Sequence, residues 1–279
     1  MNVLIISGIV IFTLAILYVL AVMPRTVYNR RSKEMANTLF AHRGLHNNDT
    51  IAPENSMKAF EKAVEAGFGI ECDVQLTKDH IPVIFHDFSL KRICAKEGKI
   101  SDYTYDELKN FSLCRSEEHI PRLNDLLQLV RGRVPLLIEL KIEFMDLKLC
   151  EQVDKLMRDY NGIYYIESFN PLALFWYRKN HNDVLRGQLS DGFHRESIGK
   201  AVICFLVENL FLNGITKPDF IAYNHRYAKN INRRMCRKLF RNTAVAWTIK
   251  SEEELERASK EFDVFIFDSF RPQKNKKGA

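Results

Sequence analysis

The stretch Phe68-Gly69-Ile70-Glu71-Cys72-Asp73-Val74-Gln75-Leu76-Thr77-Lys78-Asp79-His80-Ile81-Pro82-Val83-Ile84-Phe85-His86-Asp87 decides how the rest of the chain folds. It holds two strand-like runs, 68–74 and 81–85, separated by Lys78-Asp79-His80, a turn too short for a parallel crossover, so the two runs form a hairpin. Further strand-like runs lie at 39–41, 134–140, 163–166, 184–189, 220–223, 244–247 and 264–267, which makes nine. With one arm of the hairpin set aside as an excursion, eight parallel strands remain. Amphipathic helical segments alternate with them, the pattern of an α/β fold and here of a (β/α)8 TIM barrel.

Helix ends support that alternation. Ser56 caps Met57–Ala66 with Gly67 just beyond, and Ser251 with Glu254 forms a capping box before 255–262. Segments 124–130, 146–160 and 171–180 also fit helices.

Ahead of the barrel, no charged side chain occurs before Arg25, and Val3–Met23 is apolar apart from Ser7, Gly8 and Thr13. About 21 helical residues at ~1.5 Å each span the ~30 Å hydrocarbon core of a bilayer. A basic n-region and a small-x-small cleavage site, the marks of a cleaved signal peptide, are both missing. The sequence therefore predicts a single N-terminal transmembrane helix. Arg25, Arg30, Arg31 and Lys33 follow the span, which places the remainder on the cytoplasmic side of the cell membrane. The expected organisation is an anchor at 1–24, a basic juxtamembrane linker at 25–37, the barrel at 38–272 and a basic tail at 273–279. Six cysteines (72, 94, 114, 150, 204, 236) contain no C-x-x-C pair and read as reduced packing residues. The net charge, +6 from 41 Lys+Arg against 35 Asp+Glu, is too small to indicate a nucleic-acid partner.

Functional groups of a parallel barrel come from the C-terminal ends of its strands. Four strands end in polar residues: His42-Arg43-Gly44, Glu71-Cys72-Asp73, His86-Asp87 and Glu139-Leu140-Lys141. Glu71 and Asp73 are two apart and so share a face, as do Glu139 and Lys141. Burying three acids together is costly without a cation, and an all-oxygen set selects a hard divalent ion, Mg²⁺ or Ca²⁺. The alternative is that each acid pairs with a wall base, Lys141 among them. His42 and His86 flank the acids and titrate near neutrality, as an acid–base pair requires. The other histidines (46, 80, 119, 181, 194, 225) read as structural. Arg43 offers a bidentate donor suited to phosphate. This set fits phosphodiester chemistry better than glycoside hydrolysis, which needs only paired carboxylates and leaves the histidines and metal unexplained, and no G-x-S-x-G or P-loop is present.

In this order, the residues resemble the glycerophosphodiester phosphodiesterase family. The matching elements are His42-Arg43-Gly44, Pro53-Glu54-Asn55-Ser56, Glu71-x-Asp73, His86-Asp87, Glu139-x-Lys141, Ser168-Phe169 and Trp247-Thr248. The resemblance implies a (β/α)8 barrel that hydrolyses glycerophosphodiesters to glycerol 3-phosphate and an alcohol. It assigns the metal to Glu71, Asp73 and Glu139, acid–base catalysis to His42 and His86, and the phosphate to Arg43 and Lys141. Glu54 would support the metal or the His42 side, and Trp247 would line the alcohol pocket. The chain departs from the family at its close, where Phe267-Asp268-Ser269-Phe270 stands in place of Thr-Asp-x-Pro, and at Lys250, where Asn is common.

Two further stretches bear on the substrate. Residues 198–212 are apolar almost all round, which fits either a buried helix or a membrane-facing flap at the barrel mouth. Seven Lys/Arg between Arg226 and Arg241, with no acid, form a solvated face or attract anionic lipid. Both point to small-molecule glycerophosphodiesters or lysophospholipids met at the membrane. A non-catalytic, anchored lipid-headgroup module is the competing class.

Overall fold

The computed structural model describes residues 2–26, 32–143, 145–192 and 198–273. Arg30, Arg31, His194 and residues 274–279 of the basic tail lie outside the described residues. Among the described residues there are nine strands: β1 (Leu39–His42), β2 (Gly69–Leu76), β3 (Pro82–Ile84), β4 (Leu136–Leu140), β5 (Tyr164–Ser168), β6 (Arg186–Ser190), β7 (Phe220–Asn224), β8 (Thr243–Ile249) and β9 (Val264–Phe267). All but β3 pair in parallel, and β1 bonds both β2 and β9, so the eight-stranded sheet closes on itself. The strand β3 hangs antiparallel from the end of β2, with Val74 opposite Ile84 and Leu76 opposite Pro82. The hairpin expected from the short turn is therefore the excursion. His80, at its tip, is exposed with φ +62°.

Outside the sheet lie α1 (Asn2–Val22), α2 (Met57–Glu65), α3 (Lys91–Cys94), α4 (Tyr105–Leu108), α5 (Leu123–Val130), α6 (Lys148–Met157), α7 (Pro171–Asn180), α8 (Ile198–Glu208), α9 (Asn213–Thr216), α10 (Ile231–Leu239) and α11 (Glu252–Ala258). Caps fall where the sequence places them: Ser56 accepts from Ala59 N–H (3.1 Å) and Ser251 from Glu254 N–H (3.2 Å). α6 is shorter than the predicted 146–160, and α11 stops at Ala258.

Period-two alternation sorts the strand residues. Ile70, Cys72 and Val74 join the core between sheet and helices. Phe40, Leu137, Tyr165, Phe220, Val245 and Ile266 fill the barrel interior, closed below by Met35. A third core, including Val83, Leu90, Ile93, Leu113 and Ile120, lies under the excursion between β3 and β4. On β1, β4 and β5, the interior residue two places after each apolar filler is polar: His42, Glu139 and Glu167. The interior is thus apolar low down and charged at the mouth.

The end of α1 packs against the barrel wall. Tyr18 meets Phe211 edge-on at 5.7 Å and donates its hydroxyl to Asn232. One turn on, Asn213 Nδ2 donates to Val22 O (3.1 Å), and Arg25 N–H reaches Pro218 O (3.0 Å), just ahead of β7. A Cβ on Gly214 would lie 2.4 Å from Leu20 O, so this close approach needs glycine. Val3–Val22 is long and apolar enough to cross a membrane. Because its last turns run from the Asn232 level to the start of β7, the projecting part of α1 emerges at the mouth end of the barrel.

The basic stretch divides on folding. Arg233 is buried on Glu261 (2.7 Å), and Arg237 is bidentate on Asp263, with Nη2 to Oδ1 at 2.6 Å. These two therefore stabilise the fold rather than presenting charge, while Arg226, Lys229, Arg234, Lys238 and Arg241 are exposed.

Candidate active site

Strand register assembles the mouth. Asp73, Glu139 and Glu167 stand side by side on β2, β4 and β5, and His42 stands beside Glu71 across β1 and β2. Ligand oxygens of Glu71, Asp73 and Glu139 all lie within 4.8 Å of one another, and all three side chains are buried. Burial and the neighbouring acids push Glu71 and Glu167 well above the usual carboxylate range, and burial brings Glu139 up to about 7. Burial would raise Asp73 too, but Lys141 and Arg43 hold it below the ordinary value. Two bases do not balance four buried acids, and Glu167 Oε2 has no hydrogen-bond partner. A further cation is what this cluster lacks, so the donor set fits a hard divalent ion.

The wall bases are both engaged. Lys141 Nζ lies 3.2 Å from Glu139 Oε1 and 3.5 Å from Asp73 Oδ1. Arg43 Nη1 bonds Glu54 Oε1 (2.7 Å), and its Nε lies 3.4 Å from Asp73 Oδ2. The pairing read as the alternative to a metal is thus present, but it reaches only part of the acid set. Arg43 turns the chain with φ +55°, followed by Gly44 at +82°, where a Cβ would sit 2.8 Å from the Ala59 backbone. That close packing seats α2 on β1 and aims Arg43 inward.

Each imidazole has its own carboxylate. His42 Nδ1 lies 3.4 Å from Asp268 Oδ2, and His86 Nδ1 lies 2.6 Å from Asp87 Oδ1. Burial lowers both imidazoles from their ordinary value, with Asp268 and Asp73 respectively opposing most strongly. His42 Nε2 faces Glu71 Oε2 at 4.0 Å. His86 returns to the level of the acids because β3 folds back: Phe85 N–H donates to Asp73 O (2.9 Å). Gln75, the next inward residue after Asp73, holds that segment by donating to Phe85 O and Asp87 O, each at 2.8 Å.

Glu54 does not touch the acid cluster. It bonds Arg43, Asn48 and both terminal nitrogens of Arg92 (2.7 and 2.8 Å), and Arg92 in turn bonds Asp87 (2.6 Å). Glu54 therefore joins the Arg43 and His86 sides of the mouth. Trp247 stands at the rim with Phe169 edge-on at 5.6 Å, and its buried Nε1 has no partner.

Several groups escape the reading by motif. Glu167 follows the predicted 163–166 run by one residue; an acid ending an apolar strand was its signal. His46, read as structural, lies 3.2 Å from Asp268 Oδ1. Asn55 donates to Asp73 Oδ2 (3.0 Å) from a left-handed backbone, φ +58°. The remaining described histidines lie elsewhere, His181 on Asp154 (3.1 Å) and His225 beside Glu254 (3.6 Å).

The glycerophosphoryl diester phosphodiesterase family model matches residues 42–266. A glycerophosphodiester phosphodiesterase of Bacillus altitudinis is 43% identical over 112 residues, 38% of this chain and 44% of that one. One from Caldanaerobacter subterraneus is 34% identical over 152 residues, 50% and 61% of the two chains. The matched regions thus span about half the length of these curated relatives. Among solved structures, an Oleispira antarctica phosphodiesterase in complex with the product sn-glycerol-3-phosphate superposes with TM-score 0.68 at 21% identity, covering 85% of this chain and 94% of that one, a likeness of fold. A glycerophosphodiester phosphodiesterase of Thermotoga maritima gives TM-score 0.64 at 25% identity, covering 82% and 93%.

Proposed function

The chain belongs to the glycerophosphoryl diester phosphodiesterase family, and on that premise we propose that it hydrolyses glycerophosphodiesters to glycerol 3-phosphate and an alcohol. The observation that carries this reading is the pair of imidazoles, each with a carboxylate at Nδ1, on either side of one buried acid cluster. A carboxylate at Nδ1 fixes the tautomer that leaves Nε2 for proton transfer.

Glu71, Asp73 and Glu139 would hold the divalent cation, Mg²⁺ or Ca²⁺, which when bound supplies Lewis-acid stabilisation of charge on the phosphoryl oxygens. Arg43 and Lys141 bring the positive charge of the wall to the same oxygens. One histidine takes the proton of the nucleophile, water or the adjacent glycerol hydroxyl, as the phosphorus–oxygen bond to the alcohol breaks; attack by the hydroxyl gives a cyclic phosphate, which water then opens to glycerol 3-phosphate. The other returns a proton to the departing oxygen. Glu54 keeps Arg43 in place, and Trp247 lines the alcohol pocket. The helix Asn2–Val22 serves as a single-pass anchor and 38–272 as the cytoplasmic barrel, whereas Arg25 and Met35 lie at the foot of the barrel, away from the membrane, which argues against 25–37 as a juxtamembrane linker.

The test is release of glycerol 3-phosphate from glycerophosphocholine, glycerophosphoethanolamine and glycerophosphoglycerol by the full chain in lipid nanodiscs. Turnover should need added Mg²⁺ or Ca²⁺ after chelation. It should fall by about 10²- to 10⁴-fold in His42→Ala and His86→Ala. Unchanged turnover in either variant removes that histidine from the mechanism.

A further inference from the structure

An apolar groove of about 810 Å³ runs down the outside of the barrel from the mouth, between α7 and α8. Its volume falls within the ~300–1,000 Å³ of small-ligand sites. Ile142, Phe169, Leu172, Phe175, Ile203 and Val207 line it, no charged side chain does among the described residues, and Ile215 and Thr216 close its lower end. The upper end belongs to the catalytic mouth: Ile142 directly follows Lys141, and the Phe169 ring packs on Trp247 at 5.6 Å.

The helix α8 stays at mouth height rather than forming a wall of the barrel. Ser190 Oγ at the end of β6 donates to Val207 O (3.0 Å), and Tyr223 OH near the end of β7 donates to Glu208 O (2.9 Å). Its outer side exposes Val202 and Phe205. The anchor projects at this same end. The apolar, exposed Val3–Leu17 and the exposed apolar side chains of α8 therefore lie at one end of the molecule.

From this continuity of site, groove and anchor we infer that the groove takes the acyl chain of a lysophospholipid drawn from the leaflet, while the phosphodiester lies at the acid cluster. The apolar lining suits hydrocarbon, and a charged headgroup would lose its hydration there. The inference rests on the phosphodiesterase reading of the mouth and adds the substrate class.

The test compares the full chain with Cys204→Trp, which fills the groove from α8, both in nanodiscs. Substrates are glycerophosphocholine and the hexanoyl, octanoyl and decanoyl lysophosphatidylcholines, followed by choline release, and the matching glycerophospho-N-acylethanolamines, followed by glycerol 3-phosphate release. A methylene sheltered by the groove raises kcat/KM by up to about fourfold, the factor equivalent to ~0.8 kcal/mol. Partition into the nanodisc is common to both proteins, so the slope with chain length should be steeper in the native chain. The ratio of decanoyl lysophosphatidylcholine to glycerophosphocholine turnover should fall at least tenfold in Cys204→Trp. Misfolding would lower both substrates together and leave this ratio in place. Coincident slopes and ratios, with glycerophosphocholine still hydrolysed, overturn the groove assignment alone. Loss specific to glycerophospho-N-acylethanolamines, whose chain sits on the alcohol, overturns it in favour of that source. If the native chain hydrolyses no phosphodiester, the phosphodiesterase reading fails and the groove assignment with it.

Discussion

The Asp268 carboxylate bridges two imidazoles, with Oδ2 3.4 Å from His42 Nδ1 and Oδ1 3.2 Å from His46 Nε2. Asp268 raises the affinity of His42 for a proton against the effect of burial. In Asp268→Asn, His42 should titrate at lower pH and lose its fixed tautomer. The expected result is a drop in kcat of about 10²-fold, the lower end of general acid–base contributions. The His42-dependent inflection of the pH–rate profile should also move toward acid. An unmoved inflection would separate Asp268 from His42.

The crowded acids make a readout available without turnover. Binding of Mg²⁺ or Ca²⁺ to the folded chain alone should stabilise it by about 2.7 kcal/mol at 100 times the dissociation constant. The thermal midpoint should therefore rise with added cation. Asp73→Asn should abolish that rise, and a midpoint indifferent to both ions would argue against the cluster as a metal site.

Glu54 links stability to acid. Burial would raise its carboxyl, but hydrogen bonds from Arg92 and the charge of Arg43 bring it down to about 2. A depressed carboxyl stabilises the fold above its unfolded value of about 4.5 and loses that contribution as pH falls toward 2. The contribution is up to about 3 kcal/mol, reduced by screening because the Arg92 side chain is 47% exposed. Denaturant titrations of native chain and Glu54→Gln should differ most near neutrality and draw together as pH falls to about 2.

Gly214 tests the docking of α1. Gly214→Leu places a side chain where Leu20 O now sits, an overpacking that costs about 1–3 kcal/mol. Amide exchange at Val22 and Arg25 should accelerate, while that of β4 and β5 stays slow. Protection unchanged at Arg25 would show that the helix end is held elsewhere.

What sequence alone could read follows from what is local. A three-residue turn forces a hairpin, and residues two apart share a face, so the barrel, Glu71 with Asp73, and Glu139 with Lys141 were all legible. His46 and Asp268 meet only because β9 closes on β1, a pairing no local pattern encodes. Arg92 lies far along the chain from Glu54 and reaches it across the excursion. Glu167 needed register as well as face, since only the alignment of β4 with β5 sets it beside Glu139. The inward turn of Arg233 and Arg237 likewise depends on partners, Glu261 and Asp263, that belong to a later element.

The contacts of Tyr18, Val22 and Arg25 fix α1 to the barrel at one height. With that helix as the proposed anchor, the height of the mouth relative to the leaflet would follow from how much helix lies outside the barrel, and each inserted turn would shift it by about 5.4 Å. Ester selection would then acquire a vertical coordinate: a lipid phosphodiester would be cleaved or spared by the depth at which its lipid carries it, before any side chain distinguishes one headgroup from another.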